Sequence, residues 1–152
     1  MGIGKNIPPR SDKGYSGKWE GQYTYGNGYG SRLKGTSSPF IIVIQVDGSG
    51  RVTGECLDEQ YAAQINAKVV IEGFLLNGQI EFVKRYRYYY QILADGTIVE
   101  KKDRGVHEVH YAGAYGNGIF TGEWKIFSSY VREDGSIGER VSGGYWIMHR
   151  AE

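Results

Sequence analysis

A chain of 152 residues with a formal net charge of +1 has no bulk field to draw nucleic acid or an anionic membrane to it. Its one cysteine, Cys56, excludes a disulfide framework and a thiolate metal cluster, and fits a reducing, cytoplasmic setting. The 24 glycines and 13 tyrosines, against 3 prolines, point to many tight turns and to pleated, half-buried surfaces.

Residues 1–16 contain no apolar run that would make a secretory signal, and they read as a flexible leader before a domain over residues 17–152. From Lys18 onward, apolar residues recur at every second position. Lys18–Tyr25 places Trp19, Gly21, Tyr23 and Tyr25 on one face. Gly26–Ser38 is a long connection rich in glycine and serine. Phe40–Asp47 is apolar on both faces at its start, so its outer side is predicted to be covered. A turn at Asp47–Gly50 leads to Arg51–Asp58, with Val52, Gly54 and Cys56 in register.

Residues 59–64 allow one helical turn at most, before a strand over Gln64–Leu75. Asn77-Gly78 suits a type I′ hairpin. Gln79–Gln91 then sets Ile80, Phe82, Lys84, Tyr86, Tyr88 and Tyr90 on one face. Thr97–Lys102, Val106–Ala114, Ile119–Ser129 and Val141–Arg150 complete about nine strands, with turns at Asp95-Gly96 and Asp134-Gly135. A meander of this length must close or leave open edges. The predicted fold is all-β, a single antiparallel up-and-down barrel of about eight to ten strands. A Greek-key sandwich would need crossovers, and only Gly26–Ser38 is long enough for one.

Tyr-Gly-Asn-Gly occurs twice, at residues 25–28 and 115–118. With Thr97–Lys102 counted as a barrel strand, both copies fall at odd-numbered connections and share one rim. The same parity gathers Tyr25, Tyr29, Tyr61, Tyr88, Tyr89, Tyr90, Tyr111 and Tyr115 there, under residues 26–38 as a lid, and places Tyr15, Tyr86, Tyr130 and Tyr145 elsewhere. Such a rim serves as the mouth of a ligand cavity or as a plug, since small barrels exist in both forms.

The stretches "GKWEGQYTYG", "FIIVIQVDGSGRVTGECLDE", "FTGEWKIF" and "GGYWIM" resemble strands of calycin-type barrels, the group of the lipocalins, fatty-acid-binding proteins and avidins. Gly17-Lys18-Trp19 and the hairpin Asp47–Gly54 carry the likeness. The resemblance implies an antiparallel barrel around a small ligand. It implies no particular ligand, and the biotin-contacting set of the avidins is not matched.

Lys84 interrupts an otherwise apolar and aromatic face. An inward ammonium would need a carboxylate, a phenolate or an anionic ligand. Asp58, Glu55 and Glu123 are candidate partners, although alternation points the two glutamates outward. A twist that turns Lys84 out, or a purely structural pair, is the competing placement. "KRYRYYY" mixes bases and rings as single-strand nucleic-acid binders do, but alternation separates Arg85 and Arg87 from Tyr86 and Tyr88. His107 and His110 are three apart on a strand and point to opposite faces, which disfavours a metal site.

The function expected is the binding of a small amphipathic, aromatic or anionic molecule in the lumen. The lining expected is Trp19, Tyr23, Tyr25, Phe40, Phe82, Lys84, Tyr86, Tyr88, Tyr111, Trp124 and Trp146. No cofactor, metal, nucleic acid or membrane is implied. Two alternatives stay open: an isomerase, cyclase or decarboxylase on the same barrel, and a filled barrel that pairs with a copy of itself through an outer wall such as Ile41 and Val43.

Overall fold

The structure is a computed structural model and describes residues 12–26, 29–58, 69–86, 89–93, 95, 97–101 and 107–151. A short 3-10 turn, Asp12–Tyr15, leads into ten strands. These are β1 (Gly17–Tyr25), β2 (Ser37–Val46), β3 (Arg51–Asp58), β4 (Val69–Leu76), β5 (Gln79–Tyr86), β6 (Tyr89–Ile92), β7 (Ile98–Lys101), β8 (His107–Gly116), β9 (Ile119–Val131) and β10 (Ile137–Arg150). Eight of them close an antiparallel barrel in the order β1-β10-β9-β8-β5-β4-β3-β2. Among the described residues, β6 and β7 pair with each other and not with the ring. Apart from that inserted hairpin, neighbours in sequence are neighbours in the ring, which is the up-and-down topology that alternation predicts.

Alternation fixes what lies inside. Phe40, Ile42, Ile44 and Val46 of β2 are buried, and Val43 and Gln45 face out. On every barrel strand except β2 and β5, a glycine interrupts the inward row. Gly122 shows why. A Cβ there would lie 1.8 Å from the carbonyl oxygen of Ala112 on the next strand. A narrow ring forces its strands to coil, and the bend needs positions with no side chain.

Two kinds of connection separate the ends. At the turn end, tight turns join β2 to β3, β4 to β5 and β8 to β9. Asn77-Gly78 and Asn117-Gly118 both adopt positive φ, at 53° and 77° and at 53° and 86°. That is the type I′ geometry matched to strand twist. At the loop end β1, β3 and β5 finish and β2, β4 and β8 begin. β9 and β10 also run past the barrel at this end as a two-stranded ribbon, paired as far as Val131 and Ile137.

Three exposed turns share an Asp-Gly-Ser/Thr pattern. The carboxylates of Asp47, Asp95 and Asp134 accept hydrogen bonds from the backbone N–H two residues on, at 2.8–2.9 Å. The neighbouring hydroxyl of Ser49, Thr97 or Ser136 is the largest cause holding each carboxyl below the usual aspartate range, and the backbone donors add to it.

The strand count corrects one expectation. The segment near Thr97–Lys102 is β7 and stands outside the ring, so the second Tyr-Gly-Asn-Gly joins the sixth and seventh barrel strands. The two copies therefore lie at opposite ends. Tyr25 and Tyr29 are at the loop end, and Tyr115 is at the turn end. Tyr86, expected elsewhere, ends β5 at the loop end. Tyr61 and Tyr88 lie outside the described residues, as does the helical turn expected over 59–64. Tyr15, read as leader, is 1% exposed and sits in the core.

Candidate functional site

Lys84 is fully buried, at 0% exposure, and points into the barrel between Phe82 and Tyr86. Its strand neighbours opposite are Ile71 and Val109. Three rings from three other strands surround the ammonium. Nζ lies 4.4 Å from the centroid of Phe40, 4.5 Å from Tyr111 and 5.2 Å from Tyr23. Each such contact sets a cation against the negative face of a π system, worth up to about 2 kcal/mol where water is excluded. Arg85, one residue on, faces out and pairs with Glu72 and Glu108, both at 3.0 Å. One step along the strand thus separates a surface cation from an interior one. Glu55 and Glu123 are exposed on the outer wall, as alternation predicts.

An aromatic network extends from Lys84 to the loop end. Phe82 stacks on Tyr111 at 4.8 Å, and Trp146 meets both edge-on. Tyr23 bridges Phe40 to Trp124, and Trp124 packs against Tyr25 and Tyr29. Both indoles are fixed by hydrogen bonds to backbone carbonyls. Trp146 Nε1 donates to the carbonyls of Ala112 and Glu123, at 3.2 and 3.1 Å. Its ring fills the place where a Cβ on Gly113 would sit, 2.6 Å from that ring. Trp124 Nε1 likewise donates to Thr24 and Tyr145, both at 3.2 Å. Leu33, from the 26–36 connection, is partly buried against the core.

The turn end has a network of its own. Tyr15, Trp19, Tyr115 and Phe120 lie within 5.0–6.5 Å of one another. Trp19 Nε1 donates to the Tyr15 carbonyl at 2.8 Å. Arg150 lies over the Trp19 ring at 4.7 Å and donates to the carbonyls of Ser16 and Gly14, at 3.0 and 2.6 Å. One side chain from the last strand thus clamps the first strand and the turn before it.

The expected lining divides accordingly. Tyr23, Tyr25, Phe40, Phe82, Lys84, Tyr86, Tyr111, Trp124 and Trp146 are buried on the lumen wall. Trp19 is buried too, but in the turn-end network. Tyr88 lies outside the described residues. Ser38, an inward hydroxyl opposite Tyr23, joins Lys84 as a buried polar side chain. Its neighbours Ser37 and Pro39 make the segment read as a loop, which hides it from alternation. A separate open groove of about 620 Å³ lies on the outer wall where β10 parts from β1, floored by Gly143 and Gly144 and flanked by Lys34.

No protein-family model matches this chain, and no curated protein shows significant similarity to it.

Proposed function

We propose that this protein is a small-molecule-binding barrel whose ligand is anionic and partly aromatic, held in the lumen on the loop-end side with Lys84 as its charged anchor. The observation that carries the reading is the buried ammonium faced by three rings. Burying a cation is costly, and a lumen that holds one offers a carboxylate, sulfonate or phosphate a strong partner in a water-poor setting. The rings supply flat apolar walls for the rest of such a ligand. The closed meander and Gly17-Lys18-Trp19 on its first strand support the calycin-type likeness. The buried Cys56 agrees with a reducing, cytoplasmic setting.

Titration with an anilinonaphthalene sulfonate and with its uncharged parent, followed by tryptophan fluorescence, tests the reading. The sulfonate is expected to quench Trp124 and Trp146 in the parent chain. Lys84→Met should weaken its binding at least about tenfold and leave the uncharged probe's binding unchanged. Equal affinity of parent and variant for the sulfonate would overturn the reading. A filled barrel serving as an interaction module is the second reading, favoured by the mutual packing of the rings around Lys84. In that case neither probe binds the lumen.

A further inference from the structure

β9 and β10 pair without a break from Ile119 and His149 to Val131 and Ile137, so alternation carries each face of the barrel wall onto the ribbon beyond it. Phe127, Val131, Ile137 and Val141 continue the outer face and are exposed by 59, 74, 71 and 52%. Ser128, Tyr130 and Arg140 continue the face that carries Trp124 and Trp146 in the lumen wall. The ribbon thus inverts the barrel's pattern, with polar side chains on the lumen face and apolar ones outside.

Two guanidiniums meet on that lumen face. Cζ of Arg140 lies 5.3 Å from the centroid of the Tyr130 ring, and Cζ of Arg132 lies 5.6 Å from it. Arg132 is held by the turn beyond β9. Its backbone N–H donates to the Ser136 carbonyl at 2.8 Å, and Nη1 donates to the Ser136 hydroxyl and the Ile137 carbonyl, at 3.3 and 3.1 Å. Gly138, paired with Tyr130, leaves room for both side chains. A Cβ there would lie 2.5 Å from the phenol ring, 2.7 Å from its hydroxyl and 2.9 Å from Nη2 of Arg132. Gly138 has no left-handed φ, so what it supplies is space.

Among the described residues no carboxylate pairs with either guanidinium. Asp134 accepts from Ser136 instead, and Glu139 is on the outer face. Two like charges on one ring repel, and a doubly charged anion beside them relieves the repulsion. We infer that Arg132, Arg140 and Tyr130 form a binding site for the phosphate group of a small phosphate monoester, outside the lumen and independent of Lys84. Such a group carries about −1.5 to −2 charge at pH 7 and three strong acceptor oxygens, which suits two guanidiniums and a phenol O–H. A carboxylate or a sulfate ester brings a single charge. A phospholipid surface fits less well, because the exposed apolar residues that would enter it are on the opposite face of the ribbon from Arg140 and Tyr130.

Isothermal titration calorimetry of the full chain with phenyl phosphate tests this. The parent is expected to bind it more tightly than phenyl sulfate, which has the same ring and one charge. Arg140→Gln changes an exposed side chain and should weaken phenyl phosphate roughly tenfold, the scale of a lost charge-assisted hydrogen bond. Arg140→Lys keeps the charge without the planar fork and should also weaken it. Gly138→Ala leaves the charge unchanged, pushes Tyr130 and Arg132 aside, and should weaken it too. Lys84→Met should bind phenyl phosphate as the parent does. A loss in Lys84→Met with none in the ribbon variants would put the ester in the lumen, overturning this inference while sustaining the lumen reading. Parental affinity in Arg140→Gln, Arg140→Lys or Gly138→Ala overturns it, as does equal affinity for the two esters or no binding by the parent at millimolar ligand. Tighter binding to phosphatidate vesicles than to phenyl phosphate would replace the soluble ester with a membrane and overturn it as well.

Discussion

At the turn end, Tyr115-Gly116-Asn117-Gly118 makes a two-residue hairpin, and Tyr115 packs with Tyr15, Trp19 and Phe120 beneath the Arg150 clamp. At the loop end, the same tetrapeptide begins with Tyr25 at the end of β1 and opens the 26–36 connection, and Tyr25 packs with Tyr23, Tyr29 and Trp124. Both ends hold a tyrosine-centred aromatic network. They differ in what joins the strands and in charge. The turn end has short turns and a cation laid on from outside, with its donors spent on backbone carbonyls. The loop end has long connections and a cation buried among the rings. One end is a closure. The other, where the proposed ligand would sit, has a buried cation, apolar walls and longer stretches of chain between its strands.

The largest test of that contrast is Trp19→Ala. It should remove about 3–5 kcal/mol of unfolding free energy in urea, as expected for a core aromatic, and leave the binding of the sulfonate probe proposed for the loop end unchanged in the folded fraction. Next, Arg150→Ala should cost about 1–3 kcal/mol, the range for charge-assisted hydrogen bonds plus a ring contact. Lys84→Met should behave in the opposite way. If the lysine serves binding, an apolar chain of similar length leaves stability within about 1 kcal/mol of the parent or raises it. A loss of about 3 kcal/mol or more would instead make Lys84 a structural partner. The smallest effect concerns the exposed turns. The Asp47 carboxyl is held below its ordinary range, so its contribution is present above the unfolded value near about 3.9 and disappears as pH falls through the folded value. Asp47→Asn should lower the thermal midpoint at neutral pH, and the gap to the parent should narrow as pH falls below the ordinary aspartate range.

Much of this was legible in the order of residues, for a physical reason. Strand alternation has a period of two, so Phe40, Ile42, Phe82, Lys84 and Tyr111 could be assigned to one wall without knowing the topology. Asn77-Gly78 announced its hairpin because only a few residues tolerate positive φ. Which end a turn occupies is another matter. It depends on the number of barrel strands before it, and one short strand that pairs outside the ring reversed the position of Tyr115. The Tyr15 plug was hidden because a single 3-10 turn has no periodicity, and its partners Trp19, Phe120 and Arg150 are distant in sequence. The ribbon was hidden for a similar reason. Whether a strand outruns its neighbours depends on where those neighbours veer away.

The seam between β1 and β10 also constrains how the molecule is made. Trp19 pairs with Arg150 and Tyr25 with Gly144, so the earliest strand waits for the latest before the cylinder can shut. A nascent chain still tethered before residue 144 must shelter an unlatched Trp19 by other means, and long-range strand closure of this kind is slow. Joining residues 14 and 151 by a short linker, and cutting instead at Asn117-Gly118, would turn that last step into a local one and should speed refolding.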